Sequence, residues 1–143
     1  MSITLSPIGR EDIKNLETAL LIETLFRRDV LELLKDSSQR VTWLTSLGIA
    51  AGALAREKAK MTVKQIADEL GVSEATIRNH LTGKTKAGQL IRETYEKFLK
   101  EGVQFKAMEI LLQEGKIKEK IEEISKTIEE LNKKFEELKK VLQ

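Results

Sequence analysis

The chain has 143 residues, room for one or two small domains and a modest core. Hydrophobic residues make up 41%, charged residues 34% and aromatics only 4%, so the core is aliphatic and the surface rich in charge. With no Cys there are no disulfides, thiolate metal sites or Cys nucleophiles, and the single His, His80, excludes any site needing two His ligands.

Residues 1–12 lack a basic start followed by an apolar run, so no signal peptide is expected. The longest apolar-rich stretch, Leu44–Ala55, is shorter than the ~20 residues of a membrane span. These features predict a soluble, cytoplasmic, all-α protein without a cofactor. The net charge of +2 does not decide for or against nucleic acid as a partner, so its distribution matters.

In residues 11–35, Leu16, Leu20, Ile22, Leu25, Phe26, Val30, Leu33 and Leu34 recur at helical spacing, which predicts one or two helices. Asp36-Ser37-Ser38 is a break. Residues 40–58 form the next helix, with Val41, Trp43, Leu44, Leu47, Ile49 and Leu54. Gly48 and Gly52 interrupt its middle, and each costs about 1 kcal/mol relative to Ala, so close approach of another helix is expected there. Leu44 and Leu47 are expected beside Ile66 and Ile77. Residues 62–101 hold three short helical patterns, and Gly102 reads as a stop.

The most informative segment is residues 62–81. Thr62 and Gln65 have capping-box spacing. Ile66, Ala67 and Leu70 form an inner face, and Ala67 is small enough for a crossing helix. Gly71 suits a turn with positive φ. Val72 plugs the corner, Ser73 caps a second helix, and Ile77 and Leu81 give that helix its buried stripe. The segment resembles the helix-turn-helix of DNA-binding regulators of the LuxR and sigma-factor type. The bland alternative is a helical hairpin with no nucleic-acid role.

The resemblance implies that the second helix enters the major groove N-terminus first. Glu74, Ala75, Arg78 and Asn79 face away from the buried stripe. Arg78 matches a guanine edge and Asn79 an adenine edge. Ser73 and Thr76 hydroxyls suit phosphate oxygens, and Glu74 a base or solvent. From Ala75 to Arg92 there are four basic residues, Arg78, Lys84, Lys86 and Arg92, and no acid. Lys84 and Lys86 are placed for a passing phosphate backbone. The patch is small, so a dimer is expected. His80 reads as a packed imidazole, not a ligand. Gly83-Lys84-Thr85 is not the end of a phosphate-binding loop: Arg78 stands where that pattern needs Gly, and no strand precedes it.

Residues 82–96 also resemble, as a block, an archaeal family of regulatory domains associated with KaiC-like ATPases. That resemblance spans roughly residues 25–98. It implies a regulatory or sensory role, with a KaiC-like ATPase as partner and no catalytic residues.

Ile117, Ile121, Ile124, Ile128, Leu131, Phe135, Leu138 and Leu142 are spaced alternately four and three apart, an unbroken heptad seam. Glu122/Lys126, Glu129/Lys133 and Glu136/Lys140 support the helix at four-residue spacing. The seam runs back in phase through Ile110, Ala107 and Val103, with a bend expected at Glu114-Gly115. Burying each large seam residue gains on the order of 1.5–3 kcal/mol, so a partner helix is expected rather than packing on the chain's own domain. Lys118, Lys120, Lys134 and Lys139 flank the seam without an acid. A homodimer is the first expectation and a tetramer the second; an acidic-flanked heteropartner also fits.

The expected organisation is residues 1–60 as N-terminal helices, the second packing on the helix-turn-helix. Residues 61–101 form the helix-turn-helix with its following helix, and residues 102–143 a coiled-coil oligomerisation helix. The expected function is a sequence-specific transcriptional regulator that binds double-stranded DNA as a coiled-coil oligomer, and not an enzyme. The rival is a protein–protein adaptor, partner of a KaiC-like ATPase, with the helix-turn-helix as scaffold.

Overall fold

The computed structural model describes residues 3–142, so the first two residues of the N-terminal stretch read above lie outside it. It is all-helical, with no strand among the described residues. The helices are α1 (Arg10–Leu25), α2 (Arg28–Leu34), α3 (Arg40–Lys58), α4 (Val63–Leu70), α5 (Glu74–Leu81), α6 (Lys86–Glu101) and α7 (Lys106–Leu142). Residues 11–35 thus form two helices, separated at Phe26–Arg27. The chain divides into two compact units, one ending at Met108 and the other starting at Glu109.

In the first unit α3 is the central helix, touching α1, α2, α4, α5 and α6. Its sequence explains the position. Ala50, Ala51, Gly52, Ala53 and Ala55 are all buried, so this stretch is covered on every side. Small side chains let several helices approach one axis. Leu16 and Leu20 of α1, Leu47 of α3, Ile66 of α4, Ile77 of α5 and Leu90, Ile91 and Phe98 of α6 complete the aliphatic core. Leu47 joins Ile66 and Ile77 there as expected, whereas Leu44 is 41% exposed. Leu44 lies three residues before Leu47, on the same side of the helix but nearer the start of α3, at the edge of the buried stripe.

The two α3 glycines differ. A Cβ on Gly52 would stand 2.8 Å from Glu17 Oε2 and 3.3 Å from Leu70 Cδ2, a close approach as expected. A Cβ on Gly48 would meet nothing within 4 Å, so packing does not require that glycine. Beside Gly52 lies Arg56, a buried cation. Its Nη1 donates to Glu17 Oε2 and, at 2.9 Å, to the Gly52 carbonyl. Its Nε is 3.3 Å from Glu69 Oε2, an ion pair without hydrogen-bond alignment. Arg56 thereby ties α1 and α4 to α3, and its charge is compensated from both sides.

Polar contacts join α1 and the α1–α2 junction to α6. The Thr24 and Thr94 hydroxyls are 2.6 Å apart in the core. Arg27 donates to Glu93 at 2.9 Å. Val103 and Phe105 pack against the core, so Val103 belongs to the loop before α7 and not to the heptad helix. Glu23, 3% exposed, accepts the Ala107 N–H at 2.9 Å.

In the second unit α7 continues as helix to Leu142, and Gly115 does not break it. The eight seam side chains from Ile117 to Leu142 are between 52% and 80% exposed in the single chain. No helix of the described residues is long and apolar enough to cross a membrane.

Candidate nucleic-acid interface

The α4–α5 pair is built by local signals. Thr62 Oγ1 accepts the Gln65 N–H at 3.2 Å, and Gln65 Oε1 accepts the Thr62 N–H at 3.0 Å, a complete capping box. Gly71 ends α4 at φ 70°, ψ 33°, the left-handed geometry that Gly adopts without a Cβ penalty. The Ala67 carbonyl accepts both the Gly71 and Val72 N–H groups, at 2.9 and 3.1 Å. Val72 is half-buried against the core. Ser73 Oγ accepts the Thr76 N–H at 3.1 Å and starts α5.

Ile77, His80 and Leu81 are the buried side of α5. Glu74, Ala75, Arg78 and Asn79 are exposed on the other, and Thr76 is half-buried. The Ser73 and Thr76 hydroxyls lie 2.9 Å apart and are engaged with each other. Arg78 Nη2 is 3.3 Å from Glu74 Oε1, a solvent-exposed pair one helical turn apart. Such a pair is weak, so Arg78 can exchange it for another acceptor at small cost.

The corner after α5 gathers the remaining basic groups. Lys84 and Lys86 are exposed. The Lys84 N–H donates to the Asn79 carbonyl at 3.0 Å, which holds the turn against α5. Arg92, six residues beyond Lys86 in α6, reaches back: its Nη1 is 3.5 Å from the Cβ position of Gly83. Gln89 Nε2 donates to the Gly83 carbonyl at 2.8 Å. The acid-free run from Ala75 to Arg92 therefore folds into one corner beside α5.

Two positioning residues escaped the sequence reading, Thr85 and Gly88. Thr85 Oγ1 accepts the Gly88 N–H at 3.0 Å, capping α6, and lies 2.7 Å from His80 Nδ1. Gly88 is where α6 crosses the end of α5: a Cβ there would stand 2.2 Å from the His80 carbonyl oxygen. The available signal was a Gly in a helix's first turn, three residues after a Thr. His80 is packed, as expected, and 8% exposed.

Burial pushes the His80 imidazole below its ordinary pKa. The unfolded chain therefore binds the extra proton first as pH falls. The stability from a neutral His80 is full above the unfolded value of about 6.5 and is lost as pH falls from there toward the lower folded value. The melting temperature is expected to drop over that window, and His80→Gln to flatten the drop. A pH profile identical in both chains would contradict this.

Among the described residues no group of three potential metal ligands comes together. Residues 53–82, which contain α4 and α5, match the family described as "Bacterial regulatory protein, arsR family". That match supports a helix-turn-helix regulator that binds DNA. No solved structure matches the chain. Over 123 residues, 86% of this chain and 76% of the relative, it is 50% identical to "Uncharacterized protein MJ1053" of Methanocaldococcus jannaschii, and it belongs to the same family as that protein.

Proposed function

We propose that the chain is a sequence-specific DNA-binding transcriptional regulator that works as a homodimer joined through α7. The observation that carries the reading is the α5 face. Arg78 and Asn79 are exposed there, on a helix seated against α3, next to a corner with Lys84 and Lys86 and no acid. Arg78 and Asn79 read base edges, and Ala75 offers a methyl contact. Ser73 and Thr76, with Lys84 and Lys86, meet the phosphate backbone, and Glu74 releases Arg78 on docking. In this reading residues 1–60 brace the motif, residues 61–101 present it, and residues 102–143 join the two copies.

The test begins with selection of bound duplexes from a random pool. Arg78→Ala is expected to lose about 1–3 kcal/mol of discrimination at one base pair. Lys84→Ala is expected to weaken all duplexes alike and to lower the slope of log affinity against log salt by about 0.9. Unchanged preference in Arg78→Ala sinks the recognition role.

The exposed Lys-flanked seam of α7 also supports a second reading. In it the seam docks a signalling ATPase of the KaiC-like kind, and the helix-turn-helix is a scaffold. No binding to a broad duplex pool at low salt favours that reading over the first.

A further inference from the structure

Arg56 of α3 is buried, at 8% exposed, and its hydrogen bonding is incomplete. Its Nη1 serves Glu17 and the Gly52 carbonyl. Its Nε is the one buried side-chain nitrogen or oxygen among the described residues without a hydrogen bond. Glu69 Oε2, 3.3 Å away, attracts it as a charge but is out of line for a hydrogen bond. A buried donor without an acceptor keeps the cost of its lost hydration, so an acceptor reaching this N–H stabilises it.

Arg56 lines a cavity of about 140 Å³ together with Arg10, Ile13 and Lys14 of α1 and Glu69 of α4. Arg10, Ile13 and Lys14 fall three and four residues apart, so one face of α1 supplies them. Arg10 and Lys14 are exposed, and among the described residues neither has a hydrogen bond or an ion pair. Two unpaired cations and a third with a free N–H thus share one small cavity. Glu69 is the one acid that lines it, and Glu17 counters Arg56 from α1. Three cations against two carboxylates leave positive charge over. A water could take the Nε proton, but it offers no charge to Arg10 and Lys14.

We propose that this cavity binds a small oxyanion of the phosphate or sulfate type, one oxygen taking the Arg56 Nε proton and the others paired with Arg10 and Lys14. Guanidinium groups suit such oxygens, and hydrogen bonds between charged partners are the strong ones. The volume is far below the ~300 Å³ at which common ligand pockets begin, so a free ion fits and a nucleotide does not. A DNA phosphodiester, with chain on both sides, is too large for the same reason. The bound anion competes with Glu69 for Arg56. Glu69 belongs to α4, the first helix of the motif, so in the DNA-binding reading above the anion is an effector. That role rests on the DNA-binding reading; the binding of the anion does not.

The full chain is titrated calorimetrically with inorganic phosphate, and separately with sulfate, at an ionic strength held constant with chloride. Saturable binding is expected, at least tenfold weaker in the double variant Arg10→Ala with Lys14→Ala. Both side chains are exposed and unpaired, so in chloride this variant is expected to melt as the wild type does; circular dichroism checks it. Glu69→Gln removes the competing carboxylate and is expected to tighten binding at least threefold. No saturable binding means that water alone meets Arg56 and overturns the proposal. Phosphate binding that survives in the double variant and is lost in Lys84→Ala overturns it too, by placing the ion at the α5 corner. So does a wild type that ignores phosphate while the double variant binds duplex with a shallower salt slope, which gives the two cations to the DNA backbone. Saturating phosphate is expected to change duplex affinity in the wild type and not in the double variant. No change in either overturns the effector role and leaves the site standing. Phosphate binding without any duplex binding overturns the DNA reading and likewise leaves the site standing.

Discussion

Gly88→Ala is expected to be among the most damaging single substitutions in the chain, although it replaces one hydrogen by a methyl on a helix. Intrinsic propensity argues the other way, since Ala is favoured over Gly in helices by about 1 kcal/mol. Packing decides the sign. The added Cβ would lie 2.2 Å from the His80 carbonyl oxygen and 2.9 Å from both the His80 carbonyl carbon and Cα. All three are backbone atoms, so no side-chain rotation relieves the contact. Either α6 moves off α5 or the His80–Thr85 hydrogen bond and the Thr85 cap are given up. Overpacking of this kind costs about 1–3 kcal/mol or more, beyond the propensity gain. A net loss of about 2 kcal/mol lowers the melting temperature by roughly 4–8 °C for a chain of this size. Because α6 holds the far end of α5, duplex affinity falls as well. A melting temperature at or above wild type would show that the crossing is looser than this geometry.

Local features of the helix-turn-helix were legible in the sequence because their partners are sequence neighbours. Thr62 and Gln65 are three apart, Gly71 sets its own turn, and Ser73 caps three residues on. The heptads were legible for the same reason, as a period. What stayed hidden depends on residues distant in sequence. Arg56 reads as an ordinary helix-end cation, yet it is buried between Glu17, 39 residues earlier, and Glu69. Both α3 glycines carry the same signal, but only Gly52 has neighbours at close range. Leu44 and Leu47 are equally apolar, and only the direction of α3 relative to α5 decides which is buried. At the candidate interface, the acid-free run was visible as composition. That Arg92 folds back to Gly83 while Thr85 and Gly88 set the corner was not, because it depends on how α6 crosses α5.

Introducing charge into the α7 seam is expected to separate the proposed dimer and, through it, to weaken DNA binding. The variant is Ile124→Asp with Leu131→Asp, two seam positions one heptad apart. Both side chains are more than half exposed in the single chain, at 59% and 61%, and neither belongs to the core of the first unit. The substitutions therefore leave that core untouched and act only on what covers the seam. Light scattering or sedimentation should report the monomer mass. Duplex affinity should fall by about 10²–10⁴-fold, the gain that linking two binding modules provides. A truncated chain separates this effect from helix fraying, and the position of the cut matters. Ending at Gly102 would remove Val103 and Phe105 from the core and strip Glu23 of the Ala107 N–H. Ending at Met108 keeps all three and removes only the heptads. The double variant and the chain ending at Met108 should share one mass and one reduced affinity. A native mass in both would place the interface outside α7. Monomers that retain full duplex affinity would mean that one copy of the α5 face is enough, and that the seam serves another partner.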